Sequence, residues 1–164
     1  MTRALSVARK WFSLKGEVQF NDEKGEPAYC AVGEFGPVVP TWTITKAGVP
    51  VARVRKKAWS LTPVWDIEGE PGAFRVQRKV MAWTRRYQAV GGPFDGALAA
   101  GSFSDLKFEM RHDGRVLARA SGELLSLNDR HRVEVLDGDE IFVVVMMLVV
   151  MLDRANESAA MMQG

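Results

Sequence analysis

Polar and apolar residues alternate along most of this chain. Val51, Arg53 and Arg55 stand opposite Ala52 and Val54 in a two-residue period; Arg75 and Val76 alternate likewise, as do Phe108, Glu109, Met110 and Arg111. A period of two with one polar face predicts half-buried antiparallel strands, because successive side chains of an extended chain point to opposite sides of a sheet. Turn chemistry separates these segments. Asp113-Gly114, Asp95-Gly96 and Asp137-Gly138 are Asp-Gly pairs, and Glu23-Lys24-Gly25 is a longer relative. Glycine supplies the positive φ that tight hairpin turns need. Turn signals about 8–12 residues apart predict an all-β sandwich or barrel of roughly ten to twelve strands.

The chain also repeats itself. Residues 48–61 and 114–127 align over 14 residues without a gap, with five identities that include an Ala-Arg pair and a closing Ser-Leu. Ser13-Leu14 is a third copy of the closing pair. A glycine follows 12 residues after Ser13, Ser60, Thr84 and Ser126, so turn glycines are expected at 25, 48, 72, 96, 114 and 138.

The pattern breaks at Ile141–Leu152, twelve consecutive apolar residues bounded by Asp139 and Glu140 before and Asp153 and Arg154 after. A membrane-spanning helix needs about 20. A segment apolar on every side must be buried on every side, and its length suits a helix although its valines favour strands. Asp137, Asp139 and Glu140 stand where carboxylates favour a helix N-terminus. The expected architecture is therefore a closed antiparallel barrel wide enough to hold a helix about 10 Å across. Barrel and helix take up residues 1–154, with the helix at about 140–153. Residues 155–164 form a small, polar, flexible tail.

Composition narrows the functional classes. The 164 residues are 47% hydrophobic and 26% charged with a net charge of +2, a globular composition without the strong basic excess of a nucleic-acid binder. The one cysteine, Cys30, lies in the apolar run 29–32 and reads as a core thiol. It excludes a disulfide framework or a cysteine-based zinc cluster. Residues 1–15 contain no apolar signal core, so a cytoplasmic location is expected, and the sequon at Asn156 then carries little weight.

Three motif groups together resemble the LURP-one-related family. They are Lys10-Trp11-Phe12-Ser13-Leu14 with the hairpin Asp22–Tyr29, Gly114-Arg-Val-Leu-Ala-Arg, and Asp137-Gly138-Asp139-Glu140 followed by the apolar run and Asp153-Arg154. The family's fold is similar to the Tubby C-terminal domain and the phospholipid scramblases. The resemblance implies a twelve-stranded barrel around a C-terminal helix and does not imply an enzyme. Tubby-like relatives bind phosphoinositides, and scramblase-like relatives are associated with calcium and membranes.

Candidate chemistry is sparse. His112 and His131 both read as solvated histidines near turns, and a hydrolase built on His112 and Asp113 would lack an identifiable nucleophile. No nucleophile elbow, zinc-protease motif or lysine-bearing phosphate loop is present. The glycine-rich Gly91–Gly96 contains Pro93 and reads as a turn. No catalytic residue, cofactor or enzymatic activity is expected.

Charge is more informative. Residues 53–86 hold nine Lys/Arg against three acids, net +6, whereas residues 87–164 hold seven against twelve, net −5. Alternation puts Arg53, Arg55 and Lys57 on one strand face and Arg75 and Lys79 on another, with Arg85 nearby. Neighbouring strands are about 5 Å apart, so these residues can form one basic patch. Trp59, Trp65 and Trp83 lie close in sequence, and tryptophan beside cations suits a headgroup-level contact with an anionic phospholipid or phosphoinositide. The competing reading is a solvated barrel face with its tryptophans in the core. Asp137, Asp139 and Glu140 are weaker calcium candidates: three carboxylates fall short of the six to eight oxygens calcium takes. A purely structural or regulatory interaction domain is the alternative function, with loops at Gly36-Pro37 and Gly91-Gly92 available to a protein partner.

Overall fold

The structure, a computed structural model, describes residues 2–10, 16–34, 40–81, 84–102, 107–122 and 131–162. The expected features at Trp11–Leu14, Gly36-Pro37, Ala82-Trp83 and Ser126–Arg130 lie outside these residues. Twelve strands and one helix follow in chain order: β1 (Arg3–Lys10), β2 (Glu17–Asn21), β3 (Pro27–Glu34), β4 (Thr41–Lys46), β5 (Val49–Lys56), β6 (Val64–Gly69), β7 (Phe74–Met81), β8 (Thr84–Val90), β9 (Leu98–Ser102), β10 (Lys107–His112), β11 (Arg115–Gly122), β12 (His131–Val135) and α1 (Glu140–Met162). Each strand pairs antiparallel with its chain neighbours, and β12 closes on β1, so the sheet is a closed barrel. Closure leaves no free strand edge.

Glycines 25, 48, 72, 96, 114 and 138 all have positive φ, as the repeat predicts. Five of them lie in the connections β2–β3, β4–β5, β6–β7, β8–β9 and β10–β11, and Gly138 lies between β12 and α1. Because strands alternate in direction, all six turns sit at one end of the barrel, where α1 enters. The opposite end is where α1 leaves. Only some of the turns are two-residue hairpins. Ala47-Gly48 (φ 51° and 79°) and Asp113-Gly114 (φ 49° and 77°) have the two positive angles of a type I′ turn. Asp95-Gly96 instead ends a longer loop from Gly91, whose N–H donates to Asp95 Oδ1 at 2.7 Å. Asp137-Gly138 leads into the helix.

Inward residues of the strands form the outer layer of the core: Val7, Phe20, Tyr29, Val54, Trp65, Val76, Tyr87 and Met110 are all buried. Every residue from Ile141 to Leu152 is buried inside them. Burial stabilises by about 1.5–3 kcal/mol for each large apolar side chain, enough to override the weak helix propensity of the valines. Asp139 caps α1: its Oδ1 accepts from the backbone N–H groups of Ile141 (2.8 Å) and Phe142 (3.3 Å). Phe94, from the β8–β9 loop, stacks on Phe142 with ring centroids 4.2 Å apart and closes the entry end.

Four details differ from the sequence reading. The helix continues to Met162 instead of ending at about 153 in a tail. The acids of this polar stretch are the reason: Asp153 and Glu157, one turn apart, meet basic and tyrosine side chains of β7 and β8. Val51, expected on the face of Arg53 and Arg55, is buried. The β4–β5 register shifts between Ile44 and Thr45, so Val51 is unpaired in a bulge and turns inward with Ala52. Gly69 makes room for this bulge, since a Cβ there would lie 2.3 Å from the Val51 carbonyl oxygen. Cys30 is half-buried and not in the core. Its neighbours Tyr29 and Ala31 take the inward positions of β3, leaving the thiol outward with Sγ 3.6 Å from Glu17 Oε1. Finally, His112 is not freely solvated: its side chain is 13% exposed, Nε2 lies 3.1 Å from the Asp95 carbonyl oxygen, and the ring packs against Phe94.

Candidate anionic-surface site

Cross-strand register decides what the basic residues of β5–β8 face. On the outer surface Arg53 is opposite Glu68, and Arg55 is opposite Asp66, which is in turn opposite Arg75. Thr41, Arg53, Arg55, Asp66, Glu68 and Arg75 line an open groove of about 660 Å³. It is a mixed surface. Arg75 Nε donates to Asp66 Oδ1 at 3.1 Å, so this arginine is compensated. Arg53 and Arg55 are exposed and form no ion pair among the described residues.

Toward the exit end the acids stop. Lys57, just past the end of β5, is exposed, with its backbone N–H bonded to the Val64 carbonyl at 2.8 Å. Lys79 on β7 is directly opposite Arg86 on β8, and both are exposed. Neither has an ion-pair partner among the described residues. Like charges directly opposite each other in an antiparallel pair destabilise the sheet. The next outward position on β8, Gln88, and its partner Gln77 carry no charge.

Arg85 is not part of this surface. It faces the interior at the exit end, where Nη1 donates to Glu157 Oε2 at 2.6 Å. Burial opposes its charge, but the hydrogen bond and charge of Glu157 outweigh that and raise its pKa. Arg78 donates to Glu157 Oε1 at 2.6 Å and to Asp153 Oδ2 at 3.0 Å, and the Tyr87 hydroxyl donates to the same Asp153 oxygen at 2.5 Å. Asp153 is 1% exposed. Burial, reinforced by the Asp153 carboxylate, pushes the Tyr87 hydroxyl above the usual tyrosine range.

The sequence list thus divides. Lys57 and Lys79 present outward charge without an ion pair among the described residues, while Arg53 and Arg55 are exposed opposite Glu68 and Asp66 without closing an ion pair to either. Arg75 is paired with Asp66, and Arg85 with Glu157 of the helix. Arg86 was missed as a partner of Lys79; only the β7–β8 register, which depends on the length of their connection, reveals it. The tryptophans divide as well. Trp65 is in the core at 1% exposed, Trp59 in the β5–β6 connection is 91% exposed, and Trp83 lies outside the described residues.

The acidic cluster before the helix has other work. Asp137 Oδ2 accepts from Arg115 at 3.3 Å, Asp139 caps the helix, and Glu140 Oε1 accepts from the Tyr29 hydroxyl at 2.8 Å and pairs with Arg3 at 3.1 Å. The three carboxylates address three different partners. Among the described residues no group of three or more acidic, histidine or cysteine side chains is placed to hold a metal ion.

A twelve-stranded barrel wrapped around one apolar helix, with its acidic turn at the helix entry, is the arrangement that the sequence motifs imply. The LURP-one-related family model matches residues 3–153, the whole of the barrel and the apolar part of the helix. The chain belongs to the LURP-one-related family. No curated protein and no solved structure matches it. In this LURP-one-related barrel Lys79 and Arg86 are exposed cations directly opposite each other, without an ion pair among the described residues. No helix among the described residues is long and apolar enough to cross a membrane.

Proposed function

We propose that this chain is a non-enzymatic binding module for an anionic lipid surface, a phospholipid or phosphoinositide headgroup layer, engaged by the outer face of β5–β8. The carrying observation is the uncompensated pair Lys79–Arg86, two exposed cations held directly opposite each other. The arrangement costs sheet stability, and an anionic ligand would reverse the sign of that cost. Arg53, Arg55 and Lys57 extend the same field across β5. Inside the barrel, by contrast, Arg78 and Arg85 are matched to Asp153 and Glu157.

The test is co-sedimentation with neutral and anionic vesicles at low and physiological salt. Binding should require anionic lipid and weaken as salt rises. Each lysine or arginine near an anionic surface contributes roughly 1 kcal/mol. Lys79→Glu with Arg86→Glu should therefore lower partitioning roughly thirty-fold or more, and the triple change Arg53→Glu, Arg55→Glu, Lys57→Glu should lower it further. Equal partitioning of wild type and both variants would overturn the reading.

A further inference from the structure

The connection between β5 and β6 is built unlike the other described turns. Its base is fixed: the Lys57 N–H donates to the Val64 carbonyl at 2.8 Å, and the Arg78 N–H donates to the Pro63 carbonyl at 3.1 Å. Between these ties runs Ala58-Trp59-Ser60-Leu61-Thr62, which contains no charged residue. Trp59 is 91% exposed and Leu61 is 108% exposed, two large apolar side chains on one tip with no contact to shield them. The residues leading into the loop, Arg53, Arg55, Lys56 and Lys57, bring four cations, and residues 53–63 contain no acid. Lys56 lines a recess at the helix exit with Trp65, Leu152 and Asn156. Met161 and Met162, exposed in the last turn of α1, lie at this same end.

We propose that the β5–β6 loop is a bilayer-inserting tip, with Trp59 and Leu61 entering the interfacial region of an anionic membrane and the flanking lysines at headgroup level. This rests on the lipid-surface reading above and gives it an orientation: the barrel docks with its helix-exit end toward the bilayer. Charge complementarity selects a membrane as the occupant. The tip joins an indole, which favours the membrane–water interface, to a basic stretch that an anionic surface attracts. The uncompensated Lys79–Arg86 pair lies toward the same end.

Insertion is measured with an environment-sensitive fluorophore on Ser60→Cys in a Cys30→Ser background. A second probe at Lys24→Cys, in the β2–β3 turn of the opposite end, is the control. On anionic vesicles the Ser60 probe should shift to shorter wavelength and be quenched by bilayer-embedded quenchers, while the Lys24 probe stays unchanged. Trp59→Ala with Leu61→Ala, which removes only exposed side chains, should leave the melting curve in place. It should lower partitioning about tenfold or more and make the remaining binding more sensitive to salt. Vesicle binding without a response at Ser60 would overturn the insertion and leave the lipid-surface reading standing. Absence of vesicle binding would overturn both. Self-association in sedimentation velocity that the double change abolishes, without vesicle binding, would assign the loop to a second copy of the chain and overturn the proposal.

Discussion

The two ends of the helix are held by the same chemistry at different depths. At the entry, Glu140 takes the Tyr29 hydroxyl at 2.8 Å and Arg3 at 3.1 Å, and Arg3 is half exposed. At the exit, Asp153 takes the Tyr87 hydroxyl at 2.5 Å and Arg78 at 3.0 Å, and Glu157 ties in Arg78 again together with Arg85. Each clamp is a tyrosine, a carboxylate and an arginine. The exit clamp is buried and redundant, while the entry clamp is partly solvated and backed by the Asp139 cap and the Phe94–Phe142 stack. Burial raises the stake of a charged pair in both directions: fully matched it fixes one arrangement, and with one partner removed it leaves a charge stranded in a low-dielectric site. On β5–β8 the exit end also carries the exposed cations Lys57, Lys79 and Arg86 and the exposed loop residues Trp59 and Leu61. The helix is therefore anchored most firmly beneath the surface proposed to meet a membrane.

The comparison breaks most severely in the middle, which belongs to neither clamp. Val145, fully buried, lies near the centre of the apolar run. Val145→Asp places an unpaired carboxylate there, and the cost of several kcal/mol is comparable with the whole stability of a domain, about 5–15 kcal/mol. Loss of the cooperative thermal transition by circular dichroism is expected. A soluble variant that melts cooperatively would mean that the end clamps alone keep the helix in place.

Next come the clamps themselves. Asp153→Asn removes the buried charge opposite Arg78 and should cost about 3 kcal/mol, moderated by Glu157, which still faces that arginine. Glu140→Gln, in the more exposed clamp, should cost about 1 kcal/mol. Urea denaturation of the two variants measures the difference. Equal losses would show that burial does not set the strength of the clamps.

The barrel was legible because its signals are local. Turn glycines recur at fixed intervals, and a twelve-residue apolar run between charges can only be an interior element. What escaped depends on register and on distant partners. Val51 follows the two-residue period on paper, but the bulge opposite Ile44 and Thr45 turns it inward. Asp153, Glu157 and the polar stretch around them read as a tail, because their partners Arg78, Arg85 and Tyr87 are more than 60 residues away in sequence. Arg75 and Arg85 looked equivalent to Arg53 and Arg55, but the fold closes an ion pair from Asp66 to Arg75 and from Glu157 of the helix to Arg85, and none to Arg53 or Arg55 among the described residues. Trp59 and Trp65, six positions apart, share a neighbourhood in sequence. A strand position buries the second, and a loop exposes the first.

The smallest effect separates the clamps by pH. Burial raises the pKa of both Tyr29 and Tyr87 above the usual tyrosine range, and the carboxylates of Glu140 and Asp153 add to it. In the unfolded chain each hydroxyl ionises near its ordinary value of about 10. Below that pH both states carry the proton and the stabilisation is complete. Above it only the unfolded chain loses protons, so stability falls as pH rises, by up to about 1.4 kcal/mol per pH unit for each tyrosine. By pH 10.5 the loss from one tyrosine is about 0.8 kcal/mol. Urea midpoints between pH 9 and 10.5 should therefore fall faster for wild type than for Tyr29→Phe or Tyr87→Phe, and fastest relative to the double variant. Each single change removes one titrating group at one end, so the two slopes report the two clamps separately. A wild-type slope equal to that of the double variant would mean that burial and the neighbouring carboxylate together do not hold either hydroxyl protonated in the folded chain.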